Sequence, residues 1–143
     1  MLAINATDAR KNWSEVIDQV VRKKPQFIRR TRDCMVLADN NFFETILNAY
    51  EFSVKTFIEE NGSVTISLNE MDLVESGETL EVAKRNLANS ILEYAEEFYA
   101  DFDYWGSAPN RSKHIPYVFK ALIINDSKKI GDLINCQIGA TRP

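Results

Sequence analysis

Arg10 and Lys11 stand side by side near the start of the chain, and Arg29, Arg30 and Arg32 follow as three positive charges within four residues. A guanidinium pairs with phosphate oxygens and also reads the guanine edge through two parallel hydrogen bonds. A cluster of this kind suits a polyanion, duplex DNA above all; it suits a solvated hairpin surface as well. Thr7 has the hydroxyl of a helix N-cap, so the spacing predicts Arg10 and Lys11 at the start of a helix whose free amides favour a phosphate. In a strand, Arg30 and Arg32 point to one face. The second charged set has the opposite sign. Glu93, Glu96, Glu97, Asp101 and Asp103 fall on the outer side of a long apolar stripe, where they fit a basic protein surface by charge matching or simply face water.

Other chemistries have less to stand on. Asp72, Glu75 and Glu78 have the residue type for a divalent cation and metal-dependent nuclease chemistry, but three carboxylates in one loop are usually solvated. His114 is the only histidine and reads as a surface or helix-start residue, and with Cys34 and Cys136 far apart there is no spaced set of zinc ligands. The two cysteines read as reduced thiols. Neither a Gly-rich phosphate loop nor a Gly-x-Ser-x-Gly elbow is present, so the expectation is a protein without enzymatic activity or cofactor.

The elements that must position these residues come from periodicity. A short strand over Leu2 to Asn5 leads into a helix from Thr7, with Ala9, Trp13, Val16, Ile17, Val20 and Val21 on one face. Lys24 and Pro25 end it, and strands at Phe27–Thr31 and Cys34–Ala38 flank a turn at Arg32 and Asp33. Asp39 or Asn40 caps a helix carrying Phe42, Phe43, Ile46, Leu47 and Tyr50. Further on, Lys55–Glu60 and Ser63–Leu68 flank Asn61-Gly62, the signature of a two-residue hairpin turn. The acidic segment Asn69–Glu78 reads as a loop before Thr79, the N-cap of a helix of about 25 residues running through Phe102. A loop over Gly106–Ser112 and two short helices, one near Pro116 and one over Ile130 to Ile134, complete an α+β chain. The expected domains are 1–52 and 53–143.

Charge divides along the same line. Residues 1–38 hold eight Lys/Arg against four Asp/Glu, residues 39–105 hold three against fifteen, and residues 106–143 hold six against two, within a net charge of -4. A basic module on an acidic chain implies a polyanion-binding face in one place and a different, basic partner in another. With no apolar run of membrane-spanning length and no leader-like start, the chain reads as cytoplasmic, without a membrane partner.

The run Asn5-Ala6-Thr7-Asp8-Ala9-Arg10-Lys11-Asn12-Trp13, the Val16, Ile17, Val20 spacing and Phe27-Ile28-Arg29-Arg30-Thr31 together resemble the N-terminal domain of the prevent-host-death (Phd/YefM) antitoxins over residues 2 to about 52. The resemblance implies a homodimeric module that binds operator DNA and represses its own operon through Arg10 and Arg30. It also implies a toxin partner, whose basic, ribonuclease-type surface the acidic helix face would meet. Two departures stand out: Trp13 where a leucine is common, and Asp33-Cys34 in a turn that often carries glycine. Ser63–Leu68 followed by Asp72 to Ala83, with Gly77-x-Thr79, is similar to the HicB-type antitoxin pattern, without that pattern's loop proline. The runner-up reading is a protein-binding adaptor with the same fold and no DNA affinity.

Overall fold

A computed structural model describes residues 2–137 and divides into two compact units, 1–46 and 47–143. The first runs β1 (Ile4–Asn5), α1 (Ala6–Lys11), α2 (Trp13–Arg22), β2 (Gln26–Arg30), β3 (Asp33–Leu37) and α3 (Asn40–Leu47). Its sheet has the order β1-β2-β3, with β1 parallel and β3 antiparallel to β2. Ile28 faces Ala9, Val16 and Val20, and these four make a small buried core.

The single helix expected from Thr7 is two helices, and the reason is local. Ile4 and Asn5 pair with Ile28 and Arg29, so the chain turns into a helix directly after the strand, with Asn5 as its cap: the Asn5 Oδ1 accepts from the Thr7 amide at 2.8 Å. Thr7 therefore lies in the first turn rather than capping it. At Asn12, with φ −114° and ψ 35°, the backbone amide and the side-chain Nδ2 both donate to the Asp8 carbonyl, at 3.0 and 3.1 Å. Asparagine competes with helical bonding in this way, and α1 closes.

The first hairpin turns one residue earlier than expected. Arg30 pairs with Asp33, so Thr31 and Arg32 form the turn, Asp33 and Cys34 belong to β3, and Arg32 is not a strand residue sharing a face with Arg30. Thr31 takes φ 55°, a left-handed conformation that a β-branched side chain rarely adopts. Asp39 caps α3, its Oδ2 accepting from the Asn41 amide at 3.0 Å. The helix ends at Leu47, which leaves Tyr50 in the second unit.

The second unit comprises β4 (Ser53–Ile58), β5 (Val64–Leu68), β6 (Val74–Gly77), α4 (Leu80–Ala100), α5 (Phe102–Ser107), α6 (Ile115–Ile124), α7 (Ser127–Leu133) and β7 (Asn135–Gln137). Its sheet order is β6-β5-β4-β7, antiparallel except for the β4–β7 pair. Beyond the end of β4 the Glu59 amide donates to the Ser63 carbonyl at 2.9 Å, so the β4–β5 connection is a three-residue loop, 60–62, rather than the expected two. The Gly62 amide donates to the Glu59 carbonyl at 2.9 Å and Gly62 alone in the loop takes positive φ, +85°, a type I turn closed by a glycine bulge. Asn61 directs its side chain to Ser63, accepting from the amide at 3.0 Å and from Oγ at 2.7 Å.

Thr79 caps α4 as expected, its Oγ1 accepting from the Val82 amide at 3.2 Å. Ala83, Leu87, Ala88, Ile91, Ala95 and Phe98 form the buried face of α4, in one core with Phe52, Val54, Ile66, Leu68, Met71, Val118, Ala121 and Ile130. The expected rod breaks at Asp101, with φ −128° and ψ 54°, and Phe102 opens α5, which takes in Gly106 and Ser107 from the expected loop. Among the described residues no helix is long and apolar enough to cross a membrane.

Candidate functional site

The cations of the first unit are all exposed. Because α1 ends at Lys11, Arg10 and Lys11 lie in the last turn of a helix rather than at a helix start, so the expected support from free amides is absent there. A different effect holds them, because the carbonyl end of a helix attracts positive charge. On β2, residues alternate faces. Arg30 therefore lies on the same side as the buried Ile28, which faces the helices, and Arg29 lies on the other side with Phe27. Arg10 lines an open apolar groove on the helix side with Trp13, Ile28 and Met35. The fold thus brings Arg10 and Arg30 to one side of the sheet, sets Arg32 in the adjoining turn, and separates Arg29 from them. Arg30 reaches Asp33 at 3.2 Å, with the two side chains 73% and 66% exposed, an arrangement of little strength in water.

Around these charges the unit leaves much of its apolar surface open. The stripe expected to face inward is split: Ala9, Val16 and Val20 are buried, whereas Trp13, Ile17 and Val21 are exposed, as are Met35 and Val36 on the hairpin and Phe42 and Ile46 on α3. A domain this small, with this much open apolar surface, calls for a cover.

On the second unit, Glu93, Glu96, Glu97, Asp101 and Asp103 are exposed. The two ion pairs seen among the described residues, Arg30–Asp33 and Arg111–Asp72, involve none of them. The sequence supplies no Lys or Arg from 86 to 110. The local physics is unfavourable, since Glu93, Glu96 and Glu97 repel across helical turns and the last two crowd the negative end of α4.

The candidate metal loop is occupied otherwise. Glu75 accepts from the Ser90 Oγ at 2.6 Å, Asp72 pairs with Arg111 at 3.6 Å, and among the described residues no group of His, Cys, Asp or Glu is placed to hold a metal ion. Both cysteines are free.

His114 is buried rather than at the surface. Its Nδ1 lies 2.7 Å from the Tyr94 hydroxyl, and its pKa is lowered, first by burial, then by the Arg111 charge, against a smaller opposing pull from Asp72. The folded ring gives up its proton more readily than the ring in the unfolded chain, so the unfolded chain binds more protons below about pH 6.5 and stability is lost as pH falls from there. Urea titrations at pH 7.5 and 5.5 are expected to show the wild type losing more stability on acidification than His114→Asn, by up to about 1.4 kcal/mol per pH unit. Equal losses in the two proteins would remove His114 as the cause.

Lys120 is a buried cation that the sequence pattern does not single out. It is 9% exposed, donates from Nζ to the Tyr50 carbonyl at 2.7 Å and lies 5.6 Å from the Phe52 ring centroid, and burial lowers its pKa against the pull of Glu51. The available signal was a lone lysine inside the apolar run of α6. Beside it, Tyr117 packs edge-on against Tyr50, centroids 5.6 Å apart, and burial followed by the Glu70 charge raises its hydroxyl pKa. This cluster fastens the start of the second unit to α6.

A family model described as PHD-like, antitoxin of toxin-antitoxin, RelE / RelB, TA system, matches residues 1–136, and the chain belongs to this antitoxin family. The match extends well past the first 52 residues on which the sequence resemblance rested. A solved structure from Syntrophomonas wolfei subsp. wolfei, described as the antitoxin part of a proposed toxin/antitoxin system, matches with a TM-score of 0.90 and 33% identity, covering 96% of this chain and 99% of that one. No curated protein matches the chain.

Proposed function

We infer that this antitoxin is a cytoplasmic autorepressor of the Phd/YefM kind, in which the first unit pairs with a second copy and binds operator DNA. The second unit neutralises the toxin by direct contact. The observation that carries the reading is the concentration of exposed cations around an under-covered apolar face on the first unit. Pairing two copies through the exposed side chains Trp13, Ile17 and Val21 of α2 and Phe42 and Ile46 of α3 covers apolar surface and doubles the cationic set, which gives two half-sites on a duplex. Arg10 and Arg30 anchor the DNA, Lys11 and Arg32 add phosphate contacts, and Thr7 orders the start of α1. Arg29, on the opposite side of β2, contributes only to the general positive field.

The second unit supports the other half of the reading. Glu93, Glu96, Glu97 and Asp101 present a negative face to a basic toxin of the ribonuclease type, and charge matching of this kind speeds encounter. The strand, the acidic segment and the Thr79-capped helix come in the HicB-like order, with β6 formed inside the segment expected as a loop.

Gel-shift titration on the region upstream of the operon tests the DNA half. Arg10→Ala and Arg30→Ala are each expected to weaken binding by about tenfold, with a steep salt dependence in the wild type. Equal binding by all three proteins would remove these arginines from the interface, and no binding by any would leave the adaptor reading in place.

A further inference from the structure

At the C-terminal end of α4 an aromatic cluster opens to solvent in the middle of the acidic surface. The Phe119 ring of α6 lies edge-on to Tyr99 at 6.1 Å and to Phe102 at 6.0 Å between centroids, and Phe102 in turn meets the buried Phe98 at 5.8 Å. Tyr99 is nevertheless 54% exposed and Phe102 39%. Glu96 precedes Tyr99 by one helical turn, so the two side chains are neighbours, and Asp101 and Asp103 flank Phe102 in sequence. None of these three carboxylates has an ion pair among the described residues.

We propose that Tyr99, Phe102 and Phe119 form the seat for an arginine side chain of the cognate toxin, with Glu96, Asp101 and Asp103 as its carboxylate rim. This rests on the antitoxin reading above. A guanidinium stacks its flat face on an aromatic ring while its edge donates paired hydrogen bonds to a carboxylate, and the seat offers both within one patch. A lysine ammonium, compact and strongly hydrated, gains less from the ring face, so the seat selects arginine over lysine. The toxin is the occupant because the carboxylate rim requires a cationic partner. Most of the chain's own exposed arginines lie in the first unit, where the reading gives Arg10, Arg30 and Arg32 to DNA.

Calorimetric titration of the full chain with hexa-arginine and hexa-lysine peptides reads the selectivity directly. The wild type is expected to bind hexa-arginine about five to ten times more tightly. Tyr99→Leu keeps an apolar group against Phe119 without the π face and brings that ratio close to one; Tyr99→Phe restores it; Glu96→Gln weakens both peptides alike. Thermal melts of Tyr99→Leu and Tyr99→Phe matching the wild type establish that the change is local. With purified toxin from the same operon, Tyr99→Leu weakens capture by about tenfold. A wild-type ratio near one overturns the seat, as does toxin capture unaffected by Tyr99→Leu, and in that case the antitoxin reading stands. No toxin capture by the wild type removes the reading itself and the seat with it. Self-association in sedimentation that Tyr99→Leu abolishes assigns the patch to a second copy and overturns the proposal.

Discussion

Gly77→Ala is expected to lower the melting temperature of the second unit by roughly 15 °C, the equivalent of about 3 kcal/mol in a domain of this size. A Cβ at position 77 would lie 2.6 Å from the Ala83 amide nitrogen and 2.9 Å from the Val82 carbonyl carbon. Both are backbone atoms of the first turn of α4, which Thr79 caps and which the fully buried Ala83 anchors in the core. They have nowhere to retreat. Gly62 provides the contrast. Nothing lies within 4 Å of a Cβ there, but φ is +85°, so its glycine serves conformation rather than space. Asparagine tolerates positive φ, so Gly62→Asn should cost little while Gly77→Asn should be as damaging as alanine. Calorimetric melts of these variants beside the wild type separate the two mechanisms. A Gly77→Ala protein that melts with the wild type would mean that β6 and α4 are less closely apposed than the structure has them.

Reversing the acidic face should move stability and binding in opposite directions. In Glu96→Lys/Glu97→Lys, two positive charges replace two negative ones at the carbonyl end of α4, and the second of the new lysines would stand four residues after Glu93 in the favourable orientation. The free protein is expected to gain about 1 kcal/mol, seen as a rise of roughly 5 °C in melting temperature. Toxin affinity is expected to fall by about a hundredfold, because like charges set against a basic surface cost several kcal/mol. Thermal melts and surface binding measured on one preparation decide the matter. A variant that is more stable and still captures toxin normally would show that the carboxylates have no part in recognition.

The parts of this molecule legible in its sequence are those governed by local patterns. Thr79 before an apolar stripe marks the start of α4 because capping and amphipathicity act within a few residues. The hairpins were legible for the same reason, though not their loops: Asn61 binds Ser63 instead of taking positive φ, and Thr31 accepts a strained backbone. β6 and β7 were missed because their pairing is decided by β5 and β4. Ser76 is held through Thr65, 2.8 Å between hydroxyl oxygens, and Asn135 through its partner Ser53. Neither partnership leaves a mark in the strand's own composition. The same holds at the surfaces. Arg10 and Arg30 were legible as cations, but their position on one side of β2, apart from Arg29, depends on register. The ring contacts of Tyr99 and Phe102 with Phe119 depend on α6 folding back along α4. His114 and Lys120 took their roles from burial, which a single polar residue in an apolar run only hints at.

The parallel ladder between β4 and β7 has a consequence for biogenesis. Ser53 finds Asn135 only after some eighty intervening residues have been made, an interval of roughly 4 to 16 s at ordinary elongation rates. During that time the nascent chain carries a finished first unit and an uncapped sheet margin, and an open strand margin is a template for illegitimate pairing. A ribosome that stalls or terminates early on this message therefore releases a product with its first unit complete and its second unit open to proteases and aggregation.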